Sequence, residues 1–243
     1  MKLFFALMLG GSLFLTGCFI DVNDDDGLFG CIDADGPVTT LDLDLPEFDG
    51  IKLAMDARVE ITQGPEQSVI VEGKSDIFDE LDLDIDNGIW TIRTEDCVRD
   101  VDDLTFFITV PNLREVRITG SGEVVSTNTF VIGDIELRIT GSGDLDMALE
   151  ADDIEVDISG SGKVVLEGTG DELEIDITGS GDVRAFDLAV QEADVNISGS
   201  GDAEVRVANR LDVRISGSGD VFYKGQPEIN DIITGSGDLI DAN

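Results

Sequence analysis

The chain has 243 residues, of which 42% are hydrophobic, and its 53 acidic residues against 15 basic ones give a net charge of −38 at pH 7. This length and hydrophobic content allow a buried core in one large domain or two small ones. The charge excludes nucleic acid as a partner, because phosphate binding requires clustered Lys and Arg, and the sequence contains no His, the commonest acid–base catalyst at neutral pH.

Residues 1–17 are predicted to be a lipoprotein signal peptide. Lys2 precedes the apolar run "LFFALMLGGSLF", which is too short to span a bilayer comfortably as a helix. The segment ends in "LTGC", which resembles the bacterial lipobox, so Cys18 is the expected lipidation site and first mature residue. The alternative is an ordinary secretory signal with an incidental cysteine. Two or three acyl chains would anchor the protein stably to a membrane and place everything after Cys18 outside the cytoplasm.

Residues 18–36 are interpreted as an acidic flexible tether, because they are charged, contain Gly and show no hydrophobic periodicity. The cluster "DVNDDDG" does not fit a calcium loop. With Asp21 as the first ligand, the required Gly falls on Asp26 and the final Glu on Ile32. Cys31 and Cys97 remain once Cys18 is lipidated. In an exported protein they are candidates for a disulfide, with two unpaired buried thiols as the alternative.

Alternating strand patterns occupy residues 37–115. "LDLDID" and "IWTIRT" flank Asn87 and Gly88, a strong signal for a tight hairpin turn. Trp90 lies in one of these strands and is predicted to pack in the core rather than to stack on a ligand.

From residue 116 onward one phrase, Ile-Thr/Ser-Gly-Ser-Gly, recurs every 18 to 21 residues. Each copy follows a strand with period-two alternation and precedes a second short strand. Units this short cannot bury a core alone, which predicts a solenoid in which equivalent isoleucines of successive coils stack. These isoleucines are Ile118, Ile139, Ile158, Ile177, Ile197, Ile215 and Ile233.

The Gly-Ser-Gly triplet is interpreted as the corner between two strands, because glycine reaches backbone angles that strain other residues. The alternative, a phosphate-binding loop, would require a helix after the glycines. The position after each corner forms a mostly acidic column, for which we consider turn capping, diffuse cation screening and discrete calcium sites. The column consists of Glu123, Asp144, Lys163, Asp182, Asp202, Asp220 and Asp238.

The residue before each corner is always Thr or Ser, and an internal hydroxyl ladder is favoured over a row that binds ice or a sugar polymer. The members are Thr119, Thr140, Ser159, Thr178, Ser198, Ser216 and Thr234.

Residues 37–243 resemble the bacterial head GIN domain family, also described as putative auto-transporter adhesins. The resemblance rests on "PEFDGIKLAMDARVEITQGPEQSVIVEG", "DNGIWTI", "ITVPNLREVRITGSGEV" and the repeated corners. It implies an all-β fold, a single-stranded right-handed parallel β-helix, with about 18–21 residues per C-terminal coil and longer irregular N-terminal coils. It also supports a Cys31–Cys97 pair, which many relatives carry, and it implies an envelope lipoprotein of Bacteroidetes-like bacteria.

The sequence therefore predicts a non-catalytic, lipid-anchored cell-envelope protein of the outer membrane, facing the periplasm or the cell surface. It would serve as an adhesin-like scaffold for a glycan or an envelope protein, with cations screening its acidic surface. The alternatives are a polysaccharide-active β-helix enzyme and a calcium-dependent structural protein. No catalytic residue and no cofactor are expected, and the pattern identifies neither metal ligands nor ligand-binding residues.

Overall fold

The computed structural model of the chain describes residues 31–99, 101 and 104–243. The signal peptide, Cys18 and most of the tether lie outside these residues. In the described part no helix is long and apolar enough to cross a membrane.

The described residues form twenty β-strands and one 3-10 helix, Ser75–Glu80. The strands before the repeat are β1 (Ile32–Asp33), β2 (Val38–Leu43), β3 (Gly50–Leu53), β4 (Arg58–Gln63), β5 (Ser68–Lys74), β6 (Ile85–Asp86), β7 (Ile89–Ile92), β8 (Val98–Arg99) and β9 (Thr105–Val110). Those of the repeat are β10 (Glu115–Gly120), β11 (Glu123–Ser126), β12 (Phe130–Val131), β13 (Ile135–Gly141), β14 (Asp144–Gly160), β15 (Lys163–Gly179), β16 (Asp182–Gly199), β17 (Ala203–Gly217), β18 (Val221–Gly225), β19 (Glu228–Gly235) and β20 (Leu239–Asp241).

The repeat is a β-solenoid of parallel strands, and the described residues make about 7 turns. Each coil has a first leg, which follows a Gly-Ser-Gly corner, and a second leg, which leads into the next corner. Equivalent residues pair from coil to coil: Ile139 lies beside Ile158, and Ile158 beside Ile177. The six isoleucines from Ile118 to Ile215 are at most 2% exposed. The predicted apolar column is therefore confirmed, and only Ile233, in the last coil, is partly exposed.

The Gly-Ser-Gly triplet is the corner that the sequence predicts. Gly141 has φ = 128°, in the region that favours glycine. A Cβ atom there would lie 2.5 Å from the carbonyl oxygen of Gly120 in the preceding coil. The same oxygen accepts a 2.8 Å hydrogen bond from the backbone N–H of Ser142. The corner needs glycine both for its backbone angle and because successive coils approach each other too closely for a side chain.

The strands before the repeat join the same stack, but not in chain order. β3 lies between β7 and β10, and β4 lies between β9 and β11. The coil containing β7 and β9 therefore lies on the outer side of the first coil. Beyond it, β5 pairs antiparallel with β9, and β2 pairs antiparallel with β5, so antiparallel strands close this end. One continuous hydrophobic core runs through the coils of the described residues.

Trp90 anchors the core of the N-terminal coils. Its ring lies 5.8 Å from that of Phe48 and 5.7 Å from that of Phe106, and its Nε1–H donates a 3.0 Å hydrogen bond to the carbonyl oxygen of Asp82. The predicted packing role of Trp90 is confirmed. Asn87 and Gly88 both have positive φ in the turn between β6 and β7, which form the predicted hairpin.

A disulfide joins Cys31 to Cys97, with an S–S distance of 2.09 Å. Beside it, β1 pairs with β8. The backbone N–H groups of Asp35 and Gly36 donate hydrogen bonds of 3.1 and 2.8 Å to the carboxylate of Asp76. The boundary predicted between tether and domain at residues 36 and 37 therefore falls within a segment that is attached to the domain. The sequence hid this attachment because its partners lie 40 or more residues away.

Candidate binding face

The outward side of the second legs carries closely spaced carboxylates. Residues there alternate between buried apolar and outward polar positions, as in "DIEVD" of β14 and "ELEID" of β15. Because β14 and β15 pair in register, their outward carboxylates lie next to one another. We call this group the carboxylate face: Asp153, Glu155, Asp157, Glu172, Glu174 and Asp176.

Basic residues of neighbouring coils flank the carboxylate face, and Arg138 reaches Asp157 and Glu155 at its edge. In the coil before it, Arg138 donates hydrogen bonds of 3.0 and 2.6 Å to Asp157 and forms a 2.8 Å ion pair with Glu136. Two coils beyond β15, Arg210 forms a 2.6 Å ion pair with Glu192. These arginines are already engaged by carboxylates, so the centre of the face keeps a large excess of negative charge.

The crowding of carboxylates changes their acidity. Burial raises the pKa of Glu155, Glu174 and Asp176, and neighbouring carboxylates raise each of these pKa values further. Asp157 acts on Glu155, and Asp176 acts on Glu174. A raised pKa means that the ionised form is less favourable here than in water. A cation or a basic side chain placed on the face would relieve this cost.

Two of the surface depressions are lined by charged side chains near the first coils and the carboxylate face. One, of about 410 Å³, extends the carboxylate face and is lined by Arg114, Glu136, Glu155 and Glu174 among others. The other, of about 700 Å³, lies by the N-terminal coils and is lined by Phe48, Glu66 and Gln67 among others, with no basic residue. Neither depression combines clustered basic and acidic groups as a groove for cleaving an anionic polysaccharide would.

The acidic column after the corners has a structural role in the last coils. Asp144 donates its backbone N–H to the carbonyl oxygen of Gly122 in the coil before, at 3.1 Å. From Asp202 onward the acceptor is a carboxylate oxygen of the coil before, and the N–H of Asp202 donates to Oδ1 of Asp182 at 3.4 Å. The N–H of Asp220 donates to Oδ1 of Asp202 at 2.8 Å, and that of Asp238 donates to Oδ1 of Asp220 at 2.8 Å. The turn-capping interpretation is confirmed for these carboxylates.

The column does not form a metal centre in the described residues. Within residues 31–99, 101 and 104–243, no three His, Cys, Asp or Glu side chains are arranged to hold a metal ion. At the start of the column, Glu123 forms an ion pair with Arg58 of the neighbouring coil.

The Thr and Ser residues before the corners point outward. All seven are exposed, and they follow one another in register, as Thr140, Ser159 and Thr178 show. The prediction that these hydroxyl groups form an internal ladder is therefore wrong. The physical reason is the alternation of the second leg: these residues follow the buried isoleucines directly and so must lie on the opposite side of the strand.

The sequence pattern of the family described as "Putative auto-transporter adhesin, head GIN domain" matches residues 47–227. The chain belongs to the head GIN domain family. No functionally curated protein matches it. The head GIN fold recurs in a crystal structure described as a putative adhesin from Bacteroides fragilis, which is 23% identical. That similarity has a TM-score of 0.82 and covers 86% of this chain and 99% of the other.

Two proteins from Parabacteroides distasonis share this head GIN fold. One is described as a putative adhesin, with 23% identity, a TM-score of 0.73, and coverage of 86% of this chain and 98% of the other. The second is described as a putative lipid binding protein, with 24% identity, a TM-score of 0.72, and coverage of 86% and 99%. At these identities the likeness shows the fold, and an adhesin-like family suggests a cell-envelope or surface protein.

Proposed function

We propose that this head GIN protein is a non-catalytic, lipid-anchored scaffold of the outer membrane that holds a basic envelope protein on its carboxylate face. Lipidation at Cys18 would supply the anchor. The adhesin-like descriptions of the family and of two similar structures support a binding role at the cell envelope.

The observation that carries the proposal is the carboxylate face itself. Six carboxylates occupy two adjacent coils without a basic residue among them. Burial and mutual repulsion raise the pKa values of Glu155, Glu174 and Asp176, so the unbound face stores unfavourable electrostatic energy. Lys and Arg side chains of a partner would relieve it. A protein partner is favoured over an acidic glycan, which the net charge of −38 would repel.

The shape of the surface supports a protein partner as well. In-register strands make each leg nearly flat, and coils repeat roughly every 4.8 Å. About seven turns therefore give a stack roughly 30 Å long, and the carboxylate face lies within its surface. A surface of this length suits a standard protein–protein interface better than a site for one small molecule.

The binding proposal is tested with a paired substitution. Glu155→Gln with Glu174→Gln removes two charges from the face. Glu150→Gln with Glu167→Gln removes two exposed charges from the other leg of the same coils. We expect the first pair, and not the second, to weaken retention of the full chain on immobilised outer-membrane proteins. Retention should also fall between 50 and 500 mM NaCl. Equal effects of the two pairs would contradict a specific role of the face.

The anchor and the alternative functions need separate measurements. Radioactive palmitate should label the wild-type chain in cells but not Cys18→Ser, and labelling of both would contradict lipidation at this residue. Release of reducing ends from envelope polysaccharide by the purified chain would favour the enzyme. A fall in Tm on addition of EDTA would favour the calcium-dependent structural protein.

A further inference from the structure

Among the described residues the last coil is incomplete. β19 pairs with β17 on one side, and no strand pairing within residues 31–99, 101 and 104–243 uses its other side. β20 has already begun the next coil by pairing with β18. A space one strand wide therefore lies beyond β19 and beside β20. The open edge of β19 presents backbone N–H and C=O groups that can bind an added strand.

The side chains of β19 define what that strand must look like. Ile229 and Ile233 continue buried columns from Leu211 and Ile215 and are only partly covered. Between them, Asp231 pairs with the buried Val213. Every earlier coil of the repeat has a buried apolar residue at this position: Val116, Leu137, Val156, Ile175, Val195 and Val213.

Asp231 makes the end selective. Its carboxylate has no hydrogen bond or ion pair with another side chain of residues 31–99, 101 or 104–243, and it is exposed. A strand laid over it would remove water from the charge, which is costly unless a cation pairs with it. An apolar strand is therefore disfavoured, and so is a second copy of this acidic chain. The exposed Ile232, the partly buried Ile229 and Asp231 line a depression of about 430 Å³, which leaves room for side chains of an added strand.

We propose that the open edge of β19 binds an extended segment of a partner protein with the pattern apolar–x–Lys/Arg–x–apolar. Its two apolar side chains cover Ile229 and Ile233, and the basic side chain between them pairs with Asp231. The added strand completes the coil that β20 begins. This site lies at the end of the stack and is independent of the carboxylate face.

The probe is a fluorescent peptide with blocked ends, TVTKTVT. Its pattern reads the same in both directions, so it presents Lys over Asp231 whether it adds parallel or antiparallel. We expect saturable binding to the full chain in detergent micelles, measured by anisotropy. TVTETVT and TVTVTVT should bind at least roughly tenfold more weakly, because a close charge pair at an interface is lost. Hydrogen exchange should slow in β19.

Charge reversal provides the decisive comparison. Asp231→Lys should reverse the preference, so that TVTETVT binds better than TVTKTVT. Glu228→Lys, an equal charge change at an exposed, outward position of the same strand, should leave the preference unchanged. Circular dichroism checks that both variants are folded. If Asp231→Lys is misfolded, Asp231→Asn takes its place and should bind all three peptides alike.

Four outcomes would overturn the proposal: no binding of TVTKTVT, equal binding of the three peptides to wild type, slower hydrogen exchange in other strands but not in β19, or end-to-end assembly of the chain itself. Absence of envelope-protein retention by the wild-type chain, together with intact binding of TVTKTVT, would overturn only the carboxylate-face function.

Discussion

Replacing Gly141 by Ala tests the corner directly, because Gly120 offers a matched control. Both glycines have positive φ, 128° and 112°, so either substitution places a Cβ atom on an unfavourable backbone conformation, which costs about 1–3 kcal/mol. At Gly120 a Cβ atom would meet nothing within 4 Å. At Gly141 it would lie 2.5 Å from the carbonyl oxygen of Gly120.

The collision adds a second cost at Gly141 only. Moving the two coils apart weakens the 2.8 Å hydrogen bond from Ser142 to Gly120, worth about 0.5–1.5 kcal/mol, and displaces packed backbone at about 1–3 kcal/mol. We therefore expect Gly141→Ala to lower the free energy of unfolding by about 2–4 kcal/mol more than Gly120→Ala. Urea denaturation measures both. Equal losses would show that close stacking of the corners does not explain the glycine.

Three further predictions concern charge and the disulfide. Asp202→Asn should stabilise the protein at low salt, because it relieves up to about 1 kcal/mol of repulsion per neighbouring carboxylate. In 1 M NaCl this repulsion is screened, so the substitution should destabilise the protein by weakening the hydrogen bond from the N–H of Asp220. Asp238→Asn, at the end of the column, should show a smaller shift, and a salt-independent effect in urea titrations would contradict this reasoning. Because the pKa of Glu174 is raised, its favourable contribution to the free energy of unfolding is complete below the ordinary pKa of 4.5 and is lost as pH rises through the raised pKa. Glu174→Gln should therefore stabilise the protein at pH 7 but not at pH 4. An equal gain at both pH values would refute the assignment. Replacing Cys31 and Cys97 by Ser removes a link between residues 66 positions apart. It should lower the free energy of unfolding by up to roughly 4 kcal/mol, the loop-closure entropy that the disulfide removes from the unfolded chain. An unchanged midpoint in urea would show that β1 is held in place without the disulfide.

The repeat could be predicted from sequence because each coil uses the same local chemistry. Ile139 and Gly141 recur at nearly constant spacing, and a constant spacing is what in-register stacking requires. The carboxylate face was less apparent, because Glu155 and Glu174 become neighbours only when the repeats are aligned. That alignment, applied to alternate positions, would have shown it. The same alignment identifies Asp231 as the one charged residue in an apolar column.

The strands before the repeat could be recognised but not ordered. Alternation places residues on one face or the other, but it does not say which strand lies beside which. The parallel neighbours of β3 on its two sides come from residues 89–92 and 115–120. The bonds from residues 31–36 to Cys97 and Asp76 were hidden for a related reason, because a short charged segment has no periodicity to analyse.

The order of the first coils constrains how the chain can fold from its N-terminus to its C-terminus. β3 and β4 emerge early, but each is flanked on one side by β7 or β9, which follow about one coil later. Coils cannot be added one after another until β9, which ends at Val110, has paired with β4 and closed this non-sequential end of the stack. From Glu115 onward each new coil can pair with a preceding coil that is already folded. The slow step of folding should therefore be confined to the first half of the chain.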